Sequence, residues 1–266
     1  MRLPKRIEAV KKEKKKMETI WTAFAMFSAL PVPHTEWKKE TMRYTLLAFP
    51  LIGLVIGLLC VLWSLLCETL LLPAVLRAAG LCAIPVLVTG GIHMDGFADT
   101  WDARSSHGTV EKMQEILKDP HIGTFAVIHV SLYFIVTFAL WTVLPQVRLL
   151  PVFLCFALSR TLSGLSLTMF EMRPGSGLAR TFADAAEKKR VRTLLTGAAV
   201  VLAACICLGG GWLMIPAVLL VFLRYRRLAE KTFGGLSGDL AGWFVQTAEL
   251  WMLGALCLQQ FAGAIA

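Results

Sequence analysis

From residue 44 to residue 67 the chain carries no charged side chain. That run exceeds the roughly 20 residues a helix needs to cross the hydrocarbon core of a bilayer. Similar apolar runs follow at 75–91, 122–144, 149–170 and 240–262, and two shorter ones at 193–208 and 212–223 flank Gly209, Gly210 and Gly211. Inside a membrane no water bonds the backbone, so such runs close their hydrogen bonds locally, as helices. Residues 19–32 are apolar but too few to span, and Pro31 and Pro33 end them, so an interfacial or re-entrant helix is expected there. A mean hydropathy of +0.65 agrees. The expected fold is all-α: a polytopic integral membrane helical bundle of about seven transmembrane helices plus the N-terminal interfacial or re-entrant helix. In the first span Gly53 and Gly57 stand four apart, which would let another helix approach closely.

The net charge of +9 raises nucleic acid as a partner, and position argues against it. Lys11, Lys12, Lys14, Lys15 and Lys16 crowd a basic tail, residues 1–18, ahead of a single transmembrane domain, 19–266. With the N-terminus in the cytoplasm, the segments after residues 33, 92, 171 and 224 are cytoplasmic and hold nearly every Lys and Arg; only Arg77 and Arg148 fall outside. That is the positive-inside pattern, with lipid headgroups as the usual neighbours. The expected setting is a multi-pass protein of a bacterial inner membrane, its partner the lipid bilayer and not nucleic acid. The first apolar run lacks a small-residue cleavage site, so no cleavable signal is expected. Seven cysteines, all inside apolar runs and without C-x-x-C spacing, read as small buried hydrophobes.

Directly after the run at 75–91 comes a compact acidic stretch: His93, Asp95, Gly96, Asp99 and Asp102, preceded by Gly90 and Gly91. On a helix Asp95, Asp99 and Asp102 stand at i, i+4 and i+7, on one face. Like charges so spaced cost about 0.2–0.5 kcal/mol per pair, and no Lys or Arg lies within the stretch to offset them. Hard oxygen ligands suit Mg²⁺, which takes a few carboxylates and completes its shell with water and substrate phosphates. The bland alternative is a solvated acidic loop at a membrane edge. The glycines beside the carboxylates would allow close backbone approach to a ligand. His93 reads either as a capping or hydrogen-bonded residue or, through its near-neutral pKa, as a proton-transfer group.

Four further clusters carry charge. Residues 111–124 read as an amphipathic helix broken at Pro120, with Lys118 and Asp119 at the bend; the pair is either a surface turn or a phosphate-neutralising Lys beside an Asp that joins a metal shell or takes a proton. Arg160 lies mid-run, where a charge costs at least about 2.5 kcal/mol on insertion scales and turns toward a partner or a wet cavity. It either pairs with an acid such as Glu249 or reads an anionic substrate group. The loop at 171–182 alternates Gly with Arg173 and Arg180, as a phosphate-holding loop does, or is merely flexible and topogenic. In the last cluster, Gly234, Gly235, Ser237 and Gly238 permit a tight turn before Asp239, a fourth carboxylate or a helix cap, with the intramembrane acid Glu249 about three turns on.

Together these residues resemble the cobalamin synthase family, the adenosylcobinamide-GDP ribazoletransferases. The resemblance runs in order through Leu30-Pro31-Val32-Pro33, residues 49–57, the H-x-D-G-x-x-D-x-x-D element from His93 to Asp102, and Glu115 to Asp119 with Ile122-Gly123-Thr124. Ser159-Arg160 and the G-G-x-[ST]-G-D element from Gly234 to Asp239, with Glu249, complete it. It implies an integral-membrane enzyme of late cobalamin (vitamin B12) biosynthesis, with adenosylcobinamide-GDP and α-ribazole, or α-ribazole 5′-phosphate, as substrates and GMP as a product. In that reading Mg²⁺ is held by Asp95, Asp99 and Asp102. Arg160, Lys118 and Arg173 hold anionic oxygens, and Asp119 or Asp239 is preferred to His93 as base. A homo-oligomer or other enzymes of the pathway are open as partners.

Two rival classes are weaker. A CDP-alcohol-type membrane phosphotransferase also spaces acids along a helix, but its D-x-x-D-G-x-x-A-R arrangement is absent. A cation or corrinoid transporter would use glycine-broken spans, yet needs polar residues at several depths on both sides, and here almost all lie toward one.

Overall fold

A computed structural model of the chain describes the backbone of residues 5–144 and 149–265, and side chains from 13 to 144 and 149 to 263. Pro145 and Arg148, and the side chains of Lys11 and Lys12, lie outside the described residues. Every regular element among those described is a helix. In order they are α1 (Lys5–Phe27), α2 (Lys39–Met42), α3 (Thr45–Thr69), α4 (Ala74–Thr89), α5 (Ile92–Ser105) and α6 (Val110–Ile116). Then follow α7 (Thr124–Val143), α8 (Leu149–Met169), α9 (Gly177–Ala185), α10 (Lys188–Leu208), α11 (Met214–Lys231) and α12 (Gly238–Ile265).

Five of these, α3, α7, α8, α10 and α12, are long and apolar enough to cross a membrane, and α4 with α5, bent by 95° at their joint, makes a sixth if the pair is counted as one broken span. The chain is thus a polytopic helical membrane protein. The expected count of about seven becomes five or six because the run at 212–223 is only the first part of α11, whose last turns carry Arg224, Arg226, Arg227 and Lys231. One helix, α1, runs from the basic tail into the apolar segment and stops short of Pro31.

The bundle is built around α8. From Pro151 to Thr168 all its residues but Phe153 are buried, although six of them are Ser, Thr or Arg. Hydroxyl groups there turn back on their own helix: Thr161 donates to the Ala157 carbonyl at 2.7 Å and Thr168 to that of Leu165 at 2.8 Å, which satisfies them without water. Against α8 lies α3, and the spacing of Gly53 and Gly57 explains how. A Cβ on Gly53 would lie 2.6 Å from the Ala157 Cα, and one on Gly57 would lie 2.8 Å from the Phe153 carbonyl carbon, so the two helices touch backbone to backbone.

Arg77, the basic residue expected away from the others, is buried in α4 and donates to the Leu144 carbonyl at 2.8 Å. A cation at the last carbonyls of α7 complements the helix C-terminus. The opposite end of the bundle carries the remaining described Lys and Arg loops together with α5, α6 and α9.

Candidate active site

The bend between α4 and α5 is made by two consecutive glycines, Gly90 (φ 63°) and Gly91 (φ 82°), a left-handed pair that side chains bearing Cβ resist. They turn the chain, and the space beside Gly91 is open, since a Cβ there would meet no protein atom within 4 Å. Gly96 is also structural. A Cβ there would lie 2.7 Å from the Asp239 carbonyl oxygen, and one on Gly242 would lie 2.9 Å from that of His93. At this crossing α5 and α12 touch, and the acidic stretch meets Asp239 from the other end of the sequence.

Asp99 consequently feels the charges of Asp95, Asp239 and Asp102, which puts all four acids in one field. They do not share one surface. Asp95 and Asp239 line a cavity of about 370 Å³ with His93, Lys118, Arg173 and Ser176, whereas Asp102 presses its carboxylate on Gly123, just before α7. Among the described residues no three His, Cys, Asp or Glu side chains form a ready ligand set. The donor chemistry nevertheless fits Mg²⁺, which is bound through one or two carboxylates plus phosphate oxygens and water.

Facing the acids is a second loop, and a short parallel bridge puts it there. Arg173 N–H donates to the Leu236 carbonyl at 2.9 Å and Leu236 N–H to that of Glu171 at 2.8 Å. Gly235, at φ 135°, makes room for the bridge, since a Cβ would lie 2.7 Å from the Arg173 nitrogen. Gly234, also left-handed, sits beneath α6, where Gln114 donates to the Phe233 carbonyl at 2.9 Å. The glycines of this cluster thus shape the loop, while Gly238 itself lines the cavity. Ser237 accepts from Leu240 N–H at 3.3 Å and donates to Asp239 at 3.3 Å, so the serine caps α12 and orients the carboxylate.

Arg173 is 4% exposed, and its Nη1 has no protein partner; the buried Ser176 Oγ has none either. A buried, unpaired guanidinium nitrogen is costly unless a ligand completes it. Residues Gly175, Ser176 and Gly177, with the first turn of α9, line the same wall, where a helix N-terminus favours an anion. Arg180 points away and pairs with Asp184 at 3.4 Å. Ser176 is the site residue the sequence reading misses; the glycines on both sides of it, each left-handed here, were the available signal.

Three expected contacts fall elsewhere. Arg160 and Glu249 are buried and paired with each other, with Ser159 donating to Glu249 at 2.7 Å, and neither lines the cavity; the ion-pair alternative is the one realised. Asp119 is exposed, 53% for the side chain, and bonded to the His121 N–H at 3.0 Å and ring Nδ1 at 2.7 Å. Those bonds hold its carboxyl below the usual carboxylate range. Unlike its neighbour Lys118, it does not line the cavity. His93 does line it, but its ring is buried against Phe49, stacked at 5.7 Å, with Nδ1 unpartnered.

One cavity therefore sets two carboxylates opposite a buried Arg, a Lys, a Ser and a helix N-terminus, an arrangement suited to a phosphate-bearing ligand and a bound cation. Residues 19–257 match the family model described as cobalamin-5-phosphate synthase. The chain is similar to proteins named adenosylcobinamide-GDP ribazoletransferase. That of Lachnoclostridium phytofermentans is 41% identical over 237 residues, covering 88% of this chain and 91% of the relative. That of Clostridium perfringens strain SM101 is 35% identical, covering 85% and 91%, and that of Pseudomonas putida strain W619 is 35% identical, covering 91% and 99%. No solved structure matches the chain.

Proposed function

The chain belongs to the cobalamin-5-phosphate synthase family, and from that premise we propose that it is a membrane-embedded adenosylcobinamide-GDP ribazoletransferase. It joins α-ribazole, or its 5′-phosphate, to adenosylcobinamide-GDP, giving adenosylcobalamin, or its 5′-phosphate, and GMP. The observation that carries this reading of the site is the buried Arg173 with its free Nη1, set in the same cavity wall as Ser176 and in one cavity with Asp95 and Asp239.

In the reaction a hydroxyl oxygen of the acceptor bonds to the cobinamide-linked phosphorus. The bond from that phosphorus to the bridging oxygen breaks, and the bridging oxygen departs on GMP. Arg173 and Lys118 hold non-bridging oxygens through charge-assisted hydrogen bonds, and Ser176 with the first turn of α9 fixes the diphosphate in register. Asp239, oriented by Ser237, takes the hydroxyl proton; Asp119 lies too far out on the surface for that role, and His93 is held against Phe49. Asp95 and Asp99 would hold Mg²⁺; Asp102, packed on Gly123, stands farther along α5. Bound there, the ion would neutralise charge on the diphosphate. A cavity of this size takes the diphosphate and leaves the large corrinoid outside it.

The lysines and arginines that surround the site set its side of the membrane. Under the positive-inside rule the site and the N-terminus face the cytoplasm, across a bacterial inner membrane.

The experiment is GMP release by purified protein in detergent or liposomes, given adenosylcobinamide-GDP and α-ribazole, with Mg²⁺ present and then chelated. Release that needs both substrates and the metal is the expected result. A folded preparation that releases no GMP overturns the assignment, and release that survives chelation overturns the metal.

A further inference from the structure

A second cleft, of about 520 Å³, lies on another face of α5, between α11 and α12. Its composition changes along its length. At the end near the site stand Arg224 and Arg227 of α11, with Trp101 of α5 and Trp243 of α12 across from them. Farther from the cations the walls are Leu220, about 6 Å from Arg224 and about 10 Å from Arg227 along α11 at 1.5 Å per residue, and Trp251 of the spanning helix α12, with Leu223 between; these side chains are 56%, 43% and 57% exposed. The cleft is cationic at one end and exposed and apolar at the other.

Its cations lack partners. Arg226, on the same helix, pairs with Glu230 at 2.8 Å, but among the described residues no carboxylate pairs with Arg224 or Arg227. Arg104 of α5 stands close enough to feel the charge of Arg224. Unpaired too are the Nε1 of Trp243, a residue 1% exposed, and the Oγ1 of Thr247 on the same wall. Clustered guanidinium groups with nothing opposite them call for an anion, and buried donors call for its oxygens.

From this charge complementarity and from the apolar lower end, we propose that the cleft binds an anionic phospholipid. Its phosphate lies at Arg224 and Arg227, its ester oxygens reach Thr247 and the Trp243 N–H, and one acyl chain runs past Leu220, Leu223 and Trp251. A nucleotide fits less well. The Trp101 ring is already engaged, stacked on His129 at 3.9 Å and overlaid by Arg104, and a nucleotide has no chain to cover the apolar half. Trp101 immediately precedes Asp102, so the lipid packs on the helix that carries the acidic cluster.

The test is native mass spectrometry of the full chain titrated with phosphatidylglycerol or phosphatidylcholine, comparing wild type with an R224Q/R227Q double variant and with R226Q. Both targeted arginines are exposed and unpaired, so their loss spares the fold. Wild type is expected to retain phosphatidylglycerol about tenfold more tightly than phosphatidylcholine; the double variant loses that preference, and R226Q, with the same kind of charge change on the same helix, keeps it. Equal retention of the two lipids by wild type overturns the proposal, as does an equal loss in R226Q, which reduces the effect to net charge. Displacement of bound phosphatidylglycerol by α-ribazole 5′-phosphate also overturns it and makes the cleft a nucleotide site.

Discussion

The carboxylate of Asp102 occupies the space a side chain on Gly123 would need. The acid is therefore held in place by the absence of a group at the start of α7, and the pairing can be broken without touching the acid. Gly123→Ala is expected to displace Asp102 while the backbone stays, because the tip of a side chain is what must move. Turnover falls by about a hundredfold if Asp102 belongs to the reacting array, the scale of a 1 Å misplacement. GMP release with a thermal melt alongside checks this; unchanged turnover would remove Asp102 from the site.

Asp95→Asn and Asp239→Asn each lower turnover by a factor of about 10² or more, and the variants remain folded. Relief of repulsion around Asp99 predicts that unfolding temperatures hold or rise. A melt that drops with activity would mean that these acids serve the fold.

Arg173→Ala and Lys118→Ala act on binding of the donor. A charge-assisted hydrogen bond contributes about 1.5–3 kcal/mol, so KM for adenosylcobinamide-GDP rises roughly 10- to 100-fold for Arg173. Exposed to water, Lys118 gives the smaller effect. KM for α-ribazole stays level in both, and a rise confined to the acceptor would reverse the assignment.

Glu249→Gln leaves the buried Arg160 without its counter-charge. Breaking a buried pair by removing one partner costs about 3–5 kcal/mol, so the expected outcome is poor yield and a lowered melt, with a normal KM in whatever protein survives. A stable Glu249→Gln protein with a raised KM would return both residues to the substrate.

Asp119→Asn separates two neighbours. Its carboxyl lies outside the cavity, bonded to His121, so turnover is expected to stay within twofold or so of wild type, the ordinary range for an exposed change. A large loss would bring Asp119 into the reaction.

What sequence could show follows from range. Apolar runs and the Gly53–Gly57 spacing are local; they locate most of the apolar helices and the face of α3 that admits a close neighbour, but not that the neighbour is α8. The i, i+4, i+7 carboxylates are local too, and they do share a helix. Three other features depend on distant partners: Arg160 finds Glu249 across 89 positions, Arg173 is brought to the acids by Leu236, and Asp102 finds Gly123. No periodicity carries such pairings. Gly90 and Gly91 stand out in sequence as room for a ligand beside the acids; the 95° bend they make comes from two left-handed residues in succession, which composition does not reveal.

That joint has a further consequence for the lipid around it. With 16 residues, α4 is about 24 Å long, several ångströms short of the roughly 30 Å of hydrocarbon in an average bilayer. Because the next helix departs at 95°, it cannot lend its length to the crossing. A crossing this short is matched where the bilayer thins or flanking side chains snorkel, and its end on the site side is the glycine joint that leads directly into Asp95.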